Sequence, residues 1–286
     1  PGKADSWGCQ SRRPSGQASI DERTAFQSTE QLAQTLYRLQ ENGIAAPWAI
    51  STDSANFTLH TMASWVWGAG GHFISDDGKH TRFSEPEALA GALAYFGLYR
   101  YMSPEMQNLS AGRASDLFRQ GKVAATISGQ WMMNLVLDQH DALPEVIDNL
   151  GVALVPGVPF VGGESLVIWA HTHHPREAVE LVRFLTSRGV QSVYCMPRYA
   201  LLPARLEALE IPPFTDAPHY QTVVRSLKKG KGFRATYMWG LVEERLGAAL
   251  SELWQRILTD SSLDLERVVT EYLKALALRL DGILAG

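Results

Sequence analysis

Residues 116–131 read Asp116-Leu117-Phe118-Arg119-Gln120-Gly121-Lys122-Val123-Ala124-Ala125-Thr126-Ile127-Ser128-Gly129-Gln130-Trp131. A helix end, a Gly-Lys break, a short apolar run and a Ser-Gly stop follow one another. Gly121 permits the left-handed turn that ends a helix. Val123 to Ile127 is short, apolar and partly β-branched, which fits a buried strand. A buried strand fed by a helix is the repeating unit of an α/β protein with crossover connections.

The flanking chain extends the pattern in both directions. Upstream, Ser28 with Gln31 forms a capping-box signature, and Leu32, Leu36 and Leu39 then share one helical face. Asn42-Gly43 ends that helix, and Pro47 to Ile50 reads as a short buried strand. A second box, Ser84 with Glu87, opens a helix that aligns Leu89, Leu93 and Phe96. Downstream, Val152 to Val155 and Leu166 to Ala170 are predicted strands, the first stopped by Pro156-Gly157. Pro175 stands where a helix would begin, with Ala178, Leu181, Val182 and Leu185 at helical spacing. The last third carries two apolar stripes. One is Leu246, Ala249, Leu250, Leu253 and Ile257; the other is Val269, Tyr272, Leu273, Leu276 and Leu280. Residues 1–25 show no periodicity and read as a loose lead-in.

Composition narrows the class of function. The chain has 286 residues, 45% hydrophobic and 20% charged, enough for a sizeable core. A net charge of -4 gives no electrostatic footprint for nucleic acid. No apolar run approaches the about 18 residues of a membrane-spanning helix, and residues 1–19 lack the apolar stretch of a secretory signal. Two cysteines, Cys9 and Cys195, are too few for a disulfide scaffold or a Cys-based zinc site, and whether they pair is open. His171, His173 and His174 lie in a strand-to-helix loop and read as solvated, so no metal is expected. Gly163-Glu164-Ser165 is not a nucleophile elbow, and Lys228-Lys229-Gly230-Lys231 has no phosphate-loop pattern. No cofactor is expected.

Three segments in this order resemble the bacterial extracellular solute-binding proteins, the maltose-binding-protein-like family of sugar receptors. The first is 116–131, with Gln130 where that family usually has Pro. The second is Leu154-Val155-Pro156-Gly157, Gly162-Gly163, then His174-Pro175-Arg176-Glu177-Ala178 and Phe184-Leu185-Thr186-Ser187. The third is Leu202-Pro203-Ala204-Arg205, followed by the Tyr237-Met238-Trp239 region. The resemblance implies an α/β, type II periplasmic-binding-protein-like fold whose C-terminal lobe is largely complete and whose N-terminal lobe is partial. It places residues 26–161 and 214–286 in the C-terminal lobe and residues 162–213 in the returning segment of the other. Leu166 to Ala170 would then be a strand without partners. The implied role is the substrate-binding component of an ABC importer, periplasmic or at the extracellular membrane surface. Its partners would be a sugar or polyol ligand and the membrane permease.

Sugar offers hydroxyl edges and apolar C–H faces, so a site needs aromatic plates and polar rims. Trp131 follows the strand–Gly129 turn and should project at a strand's C-terminal edge, where open α/β sheets bind ligands. The resemblance makes Trp131 and Trp239 stacking positions; the alternative for each is core packing. Trp65 and Trp67 would share a face on a strand but splay on a helix. The resemblance implies a helix with one of them toward the cleft. Asp53, Ser54 and Asn56 sit in the loop after the Pro47–Ile50 strand, as hydroxyl-binding groups or as a helix cap. Glu164 follows two glycines that let backbone approach a ligand, and Arg198 and Tyr199 precede the Leu202-Pro203 segment. Two other functions stay open. One is a glycoside hydrolase using Asp53 and Glu164 as its carboxylate pair; the other is a sensory solute receptor.

Overall fold

The computed structural model describes residues 20, 24–194, 201–260 and 262–285. Cys9, Cys195, Arg198 and Tyr199 lie outside the described residues.

Helix α1 spans Thr29–Glu41, with Ser28 as its N-cap accepting from the Gln31 amide at 3.2 Å. The Gln31 side-chain oxygen has no partner, so only half of the predicted capping box forms. Leu32 and Leu36 are buried as the periodicity predicts. Strand β1, Trp48–Ala49, pairs in parallel with β2, Ala125–Thr126, Trp48 facing Ala125 and Ala49 facing Thr126. The crossover between them carries α2 (Ala55–Gly68), α3 (Pro86–Phe96) and α4 (Ala111–Arg119). At α3 the cap is Glu85, not Ser84, because Pro86 takes the first helical position and fixes the entry one residue later than the box predicts. After β2 come α5 (Trp131–Met133), a π-helical turn at Asn134–Asp138, α6 (Pro144–Asp148), α7 (Pro175–Leu185) and α8 (Arg188–Tyr194). Helices α9 (Pro218–Lys229), α10 (Trp239–Thr259) and α11 (Leu265–Leu284) complete the chain.

The main core lies between α2, α3, α10 and α11. Both predicted C-terminal stripes face it: Leu246, Leu250 and Leu253 on α10, and Val269, Leu273 and Leu280 on α11. Trp254 is fully buried, with ring centroids 4.8 Å from Phe96 and 5.5 Å from Tyr95. Tyr95 reaches α2 through a 2.8 Å hydroxyl contact with Thr61, and burial pushes its phenol pKa upward. Gly91 lets α3 press onto α2: a Cβ there would stand 2.5 Å from Val66 Cα.

Two predicted strands do not form. Residues 152–155 and 166–170 join no β-ladder among the described residues, because strand geometry requires a hydrogen-bonding neighbour. Helix α7 begins at Pro175 as predicted, yet none of its residues is buried. From Gly162 to Val193 no residue is buried, so this stretch forms an arm standing off the core.

Candidate functional site

Because β1 and β2 run parallel, the segments leaving them, 50–54 and 127–131, emerge side by side at one edge. Thr52, fully buried, anchors the first. Its hydroxyl donates to the Met106 carbonyl at 2.7 Å and accepts from the Leu109 amide at 2.9 Å. This clamp leaves Asp53 exposed, its carboxylate accepting from the Ser51 hydroxyl at 3.4 Å. Ser54, not Asp53, caps α2, accepting from the Phe57 amide at 3.4 Å. Asn56 is exposed in the first turn of that helix.

Trp131 opens α5 at the same edge. One side packs against the small cluster of Met132, Val136 and Leu150, and the residue as a whole is half-buried. The indole folds back over Gly129: a Cβ on that glycine would stand 2.7 Å from Trp131 Cδ1 and 2.8 Å from Nε1. Gly129 therefore sets where the ring lies. In the same segment, the hydroxyls of Thr126 and Ser128 are buried without a protein partner.

Trp239 occupies a different place. A Cβ on Gly247 would stand 3.1 Å from Ala55 Cβ, and Glu243 contacts His60 at 3.3 Å, so α10 runs antiparallel to α2. Trp239, eight residues before Gly247, lies about 12 Å along α10 from the Asn56 end. It stacks on Phe233 with centroids 4.6 Å apart, and Phe233 also meets Trp67 at 5.3 Å and Phe160 at 5.2 Å. Phe160 stacks on His60 at 4.1 Å, and Lys231 Nζ sits 5.0 Å from the Trp67 ring centroid. This nest holds the 158–161 and 231–233 segments together, where Val161 N–H donates to the Lys231 carbonyl and Lys231 N–H to the Pro159 carbonyl, both at 3.0 Å.

The predicted residues thus separate into groups. Asp53, Asn56 and Trp131 share the strand edge. Trp67 and Trp239 join the aromatic nest at the far end of α2, and Trp67 is 8% exposed. Trp65, 3% exposed, faces the α3 side of the core, edge-on to Tyr95 at 5.2 Å. On a helix the two indoles splay, and each is packed. Glu164 is exposed on the arm. His60, Phe160, Phe233 and Glu243 are additions from the structure. His60 was legible as the i, i+4 neighbour of Asn56, whereas the Phe pair comes together only through long-range contacts. Among the described residues, no group of three His, Cys, Asp or Glu side chains could hold a metal ion. No helix of the described residues is long and apolar enough to cross a membrane.

Residues 23–192 match the model of a family described as bacterial extracellular solute-binding protein. A probable ABC transporter-binding protein of Deinococcus radiodurans is 27% identical over 163 residues, which cover 52% of this chain and 38% of that protein. An uncharacterized ABC transporter extracellular-binding protein of Pyrococcus horikoshii is 33% identical over 78 residues, covering 27% of this chain and 17% of that one. Among solved structures, a solute-binding protein of Thermotoga lettingae bound with α-D-tagatose superposes with a TM-score of 0.72 at 21% identity. That likeness covers 92% of this chain and 66% of the other. The sugar-binding protein MalE of Xanthomonas citri gives 0.74 at 18% identity, covering 91% and 64%. The chain spans less than half the length of the two curated relatives it matches, and about two-thirds of these structures.

Proposed function

The chain belongs to the bacterial extracellular solute-binding proteins and has their type II periplasmic-binding fold, and from that premise we propose that it captures a sugar or related polyol without altering its bonds. What supports the reading is the parallel β1–β2 pairing, since Asp53 and Asn56 follow β1 and Trp131 follows β2, Asp53 and Asn56 exposed and Trp131 half-buried. The half-open indole supplies a plate for the apolar face of a pyranose or furanose ring. The exposed Asp53 carboxylate accepts from vicinal hydroxyls, and the Asn56 amide both donates and accepts. The buried, unpartnered hydroxyls of Thr126 and Ser128 belong to the end of β2 and the segment leaving it. Neither acid–base nor nucleophilic chemistry is needed for this role.

In this reading Trp67 and Trp239 are packing residues that hold the two crossing segments, and Trp65 is core. Residues 26–161 and 214–286 form the C-terminal lobe, and 162–213, carrying Glu164, Arg198 and Tyr199, return through the other. Ligand spanning both lobes would favour the closed arrangement. The partner that receives the sugar is the permease of an ABC importer, and the working location is periplasmic or extracellular.

A calorimetric screen of mono- and disaccharides and polyols against the protein tests this. Saturable binding of at least one sugar is expected, and Trp131→Ala should weaken it by ~1–3 kcal/mol, the range for losing an aromatic anchor. Unchanged affinity in Trp131→Ala removes the indole from the site; no binding across the panel refutes sugar capture.

A further inference from the structure

Asp53 is an exposed side chain on a backbone held from both sides. Its neighbour Thr52 bonds reciprocally with Leu109. The Thr52 amide donates to the Leu109 carbonyl at 2.8 Å, and the Leu109 amide donates to the Thr52 hydroxyl at 2.9 Å. The same Leu109 carbonyl accepts from the Asp53 amide at 3.4 Å. On the other side Ser54 caps α2, and the Ser51 carbonyl accepts from the Thr58 hydroxyl of that helix at 3.5 Å. Segment 106–109 is braced in turn. Asn108, exposed, takes a left-handed φ of 54°, which Asn tolerates better than most L-residues. Gln107 Nε2 donates to the Gln255 carbonyl at 3.4 Å and to the Thr259 hydroxyl, so the segment is tied to the C-terminal end of α10.

We propose that Thr52 is a positioning residue for ligand, acting through Asp53, with segment 106–109 as the brace it acts against; this rests on the sugar-capture reading. A carboxylate that accepts from sugar hydroxyls binds best when its backbone is fixed before the sugar arrives, since freedom lost on binding subtracts from affinity. The Thr52 hydroxyl does that fixing by donating to Met106 and accepting from Leu109 at once. Being fully buried, Thr52 touches no ligand itself. Valine matches its shape but can neither donate nor accept. Thr52→Val therefore leaves the Met106 carbonyl and the Leu109 amide, both on buried residues, without this partner. The resulting slack falls on the loop whose next residue is Asp53.

Calorimetry with a panel of aldohexoses, ketohexoses and their disaccharides tests it, through a double-mutant cycle on the tightest binder. Asp53→Ala should raise the dissociation constant by about 10- to 150-fold, the span of a hydrogen bond to a charged group. Thr52→Val should raise it by at least about 2-fold, the lower end for side chains in one hydrogen-bond network, and should add nothing in the Asp53→Ala background. Thr52→Ser, which keeps the hydroxyl, should recover the affinity. Asn108→Val places a branched residue at positive φ and should act as Thr52→Val does, from outside the core, whereas Asn108→Gly should not. Where Thr52→Val does not fold, Asn108→Val decides. In the unliganded protein, Thr52→Val should speed hydrogen exchange at the Asp53 and Leu109 amides and leave α11 protected. Unchanged affinity in the folded variant, or a loss that persists undiminished in the Asp53→Ala background, overturns the positioning role while sugar capture stands. Exchange that stays slow at both amides overturns it too, whatever the ligand. No binding across the panel overturns sugar capture and the role with it.

Discussion

Replacing Gly91 by Ala is the sharpest probe of how α3 seats on α2. The added Cβ would stand 2.5 Å from Val66 Cα, 2.6 Å from the Trp65 carbonyl oxygen and 2.7 Å from its carbon. Carbon pairs rest at about 3.5–4.0 Å, so α3 has to withdraw by roughly 1 Å. Withdrawal strains the Trp65–Tyr95 and Tyr95–Trp254 edge contacts and the Thr61–Tyr95 hydroxyl pair. Overpacking of a core costs about 1–3 kcal/mol and a lost buried hydrogen bond about 1 kcal/mol. The higher helix propensity of Ala offsets about 1 kcal/mol. The net is a loss of ~1–3 kcal/mol. With a urea dependence of about 2–3 kcal/mol per molar, the unfolding midpoint should fall by about 0.3–1.5 M. Gly282→Ala is the matched control: it lies within α11 with nothing within 4 Å of the added carbon. There the same chemical change should stabilise by about 0.5–1 kcal/mol. Urea titrations of both variants decide it. An unmoved midpoint in Gly91→Ala, or shifts of the same sign in both, refutes the packing argument.

Gly129→Ala should weaken sugar binding although residue 129 need not touch the ligand, because its new Cβ would displace the Trp131 ring edge. Calorimetry against the best ligand should read a loss of about 1–3 kcal/mol with the helical circular dichroism intact. The Glu252 carboxyl is held below its ordinary pKa first by the hydroxyl of Tyr272 and then by Arg256, tying α10 to α11. Burial, with the Glu252 contact adding to it, pushes the Tyr272 phenol up to about 12. A depressed carboxyl pKa contributes stability above the unfolded value of about 4.3 and loses it as pH falls through the folded value. Tyr272→Phe should therefore be less stable than the unaltered protein at pH 7, and the difference should shrink as pH falls below the ordinary carboxyl range, as read from paired urea midpoints.

Much of the architecture was legible because the helices obey local rules. The Leu246-to-Ile257 and Val269-to-Leu280 stripes predicted α10 and α11 and the faces they bury. Pro175 marked the start of α7. Strands were harder, since a strand exists only with a neighbour. Residues 123–127 and 47–50 find each other, whereas 152–155 and 166–170 find none among the described residues. The same limit applies to the site. Trp131 and Asp53 were readable as residues following parallel strands, so their shared edge follows from topology. That Trp239 stacks on Phe233 at the opposite end of α2 follows from the antiparallel run of α10. No local pattern encodes that direction. Trp65 and Trp67 were ambiguous until the segment proved helical, which turns one toward Tyr95 and the other toward Phe233.

The most direct test is a crystal structure of the protein soaked with its tightest-binding sugar. The account predicts a sugar ring lying flat on the Trp131 indole at van der Waals distance, with hydroxyls on the Asp53 carboxylate and the Asn56 amide. A sugar bound in the aromatic nest against Trp239 and Phe233, with the β1–β2 edge vacant, would contradict it.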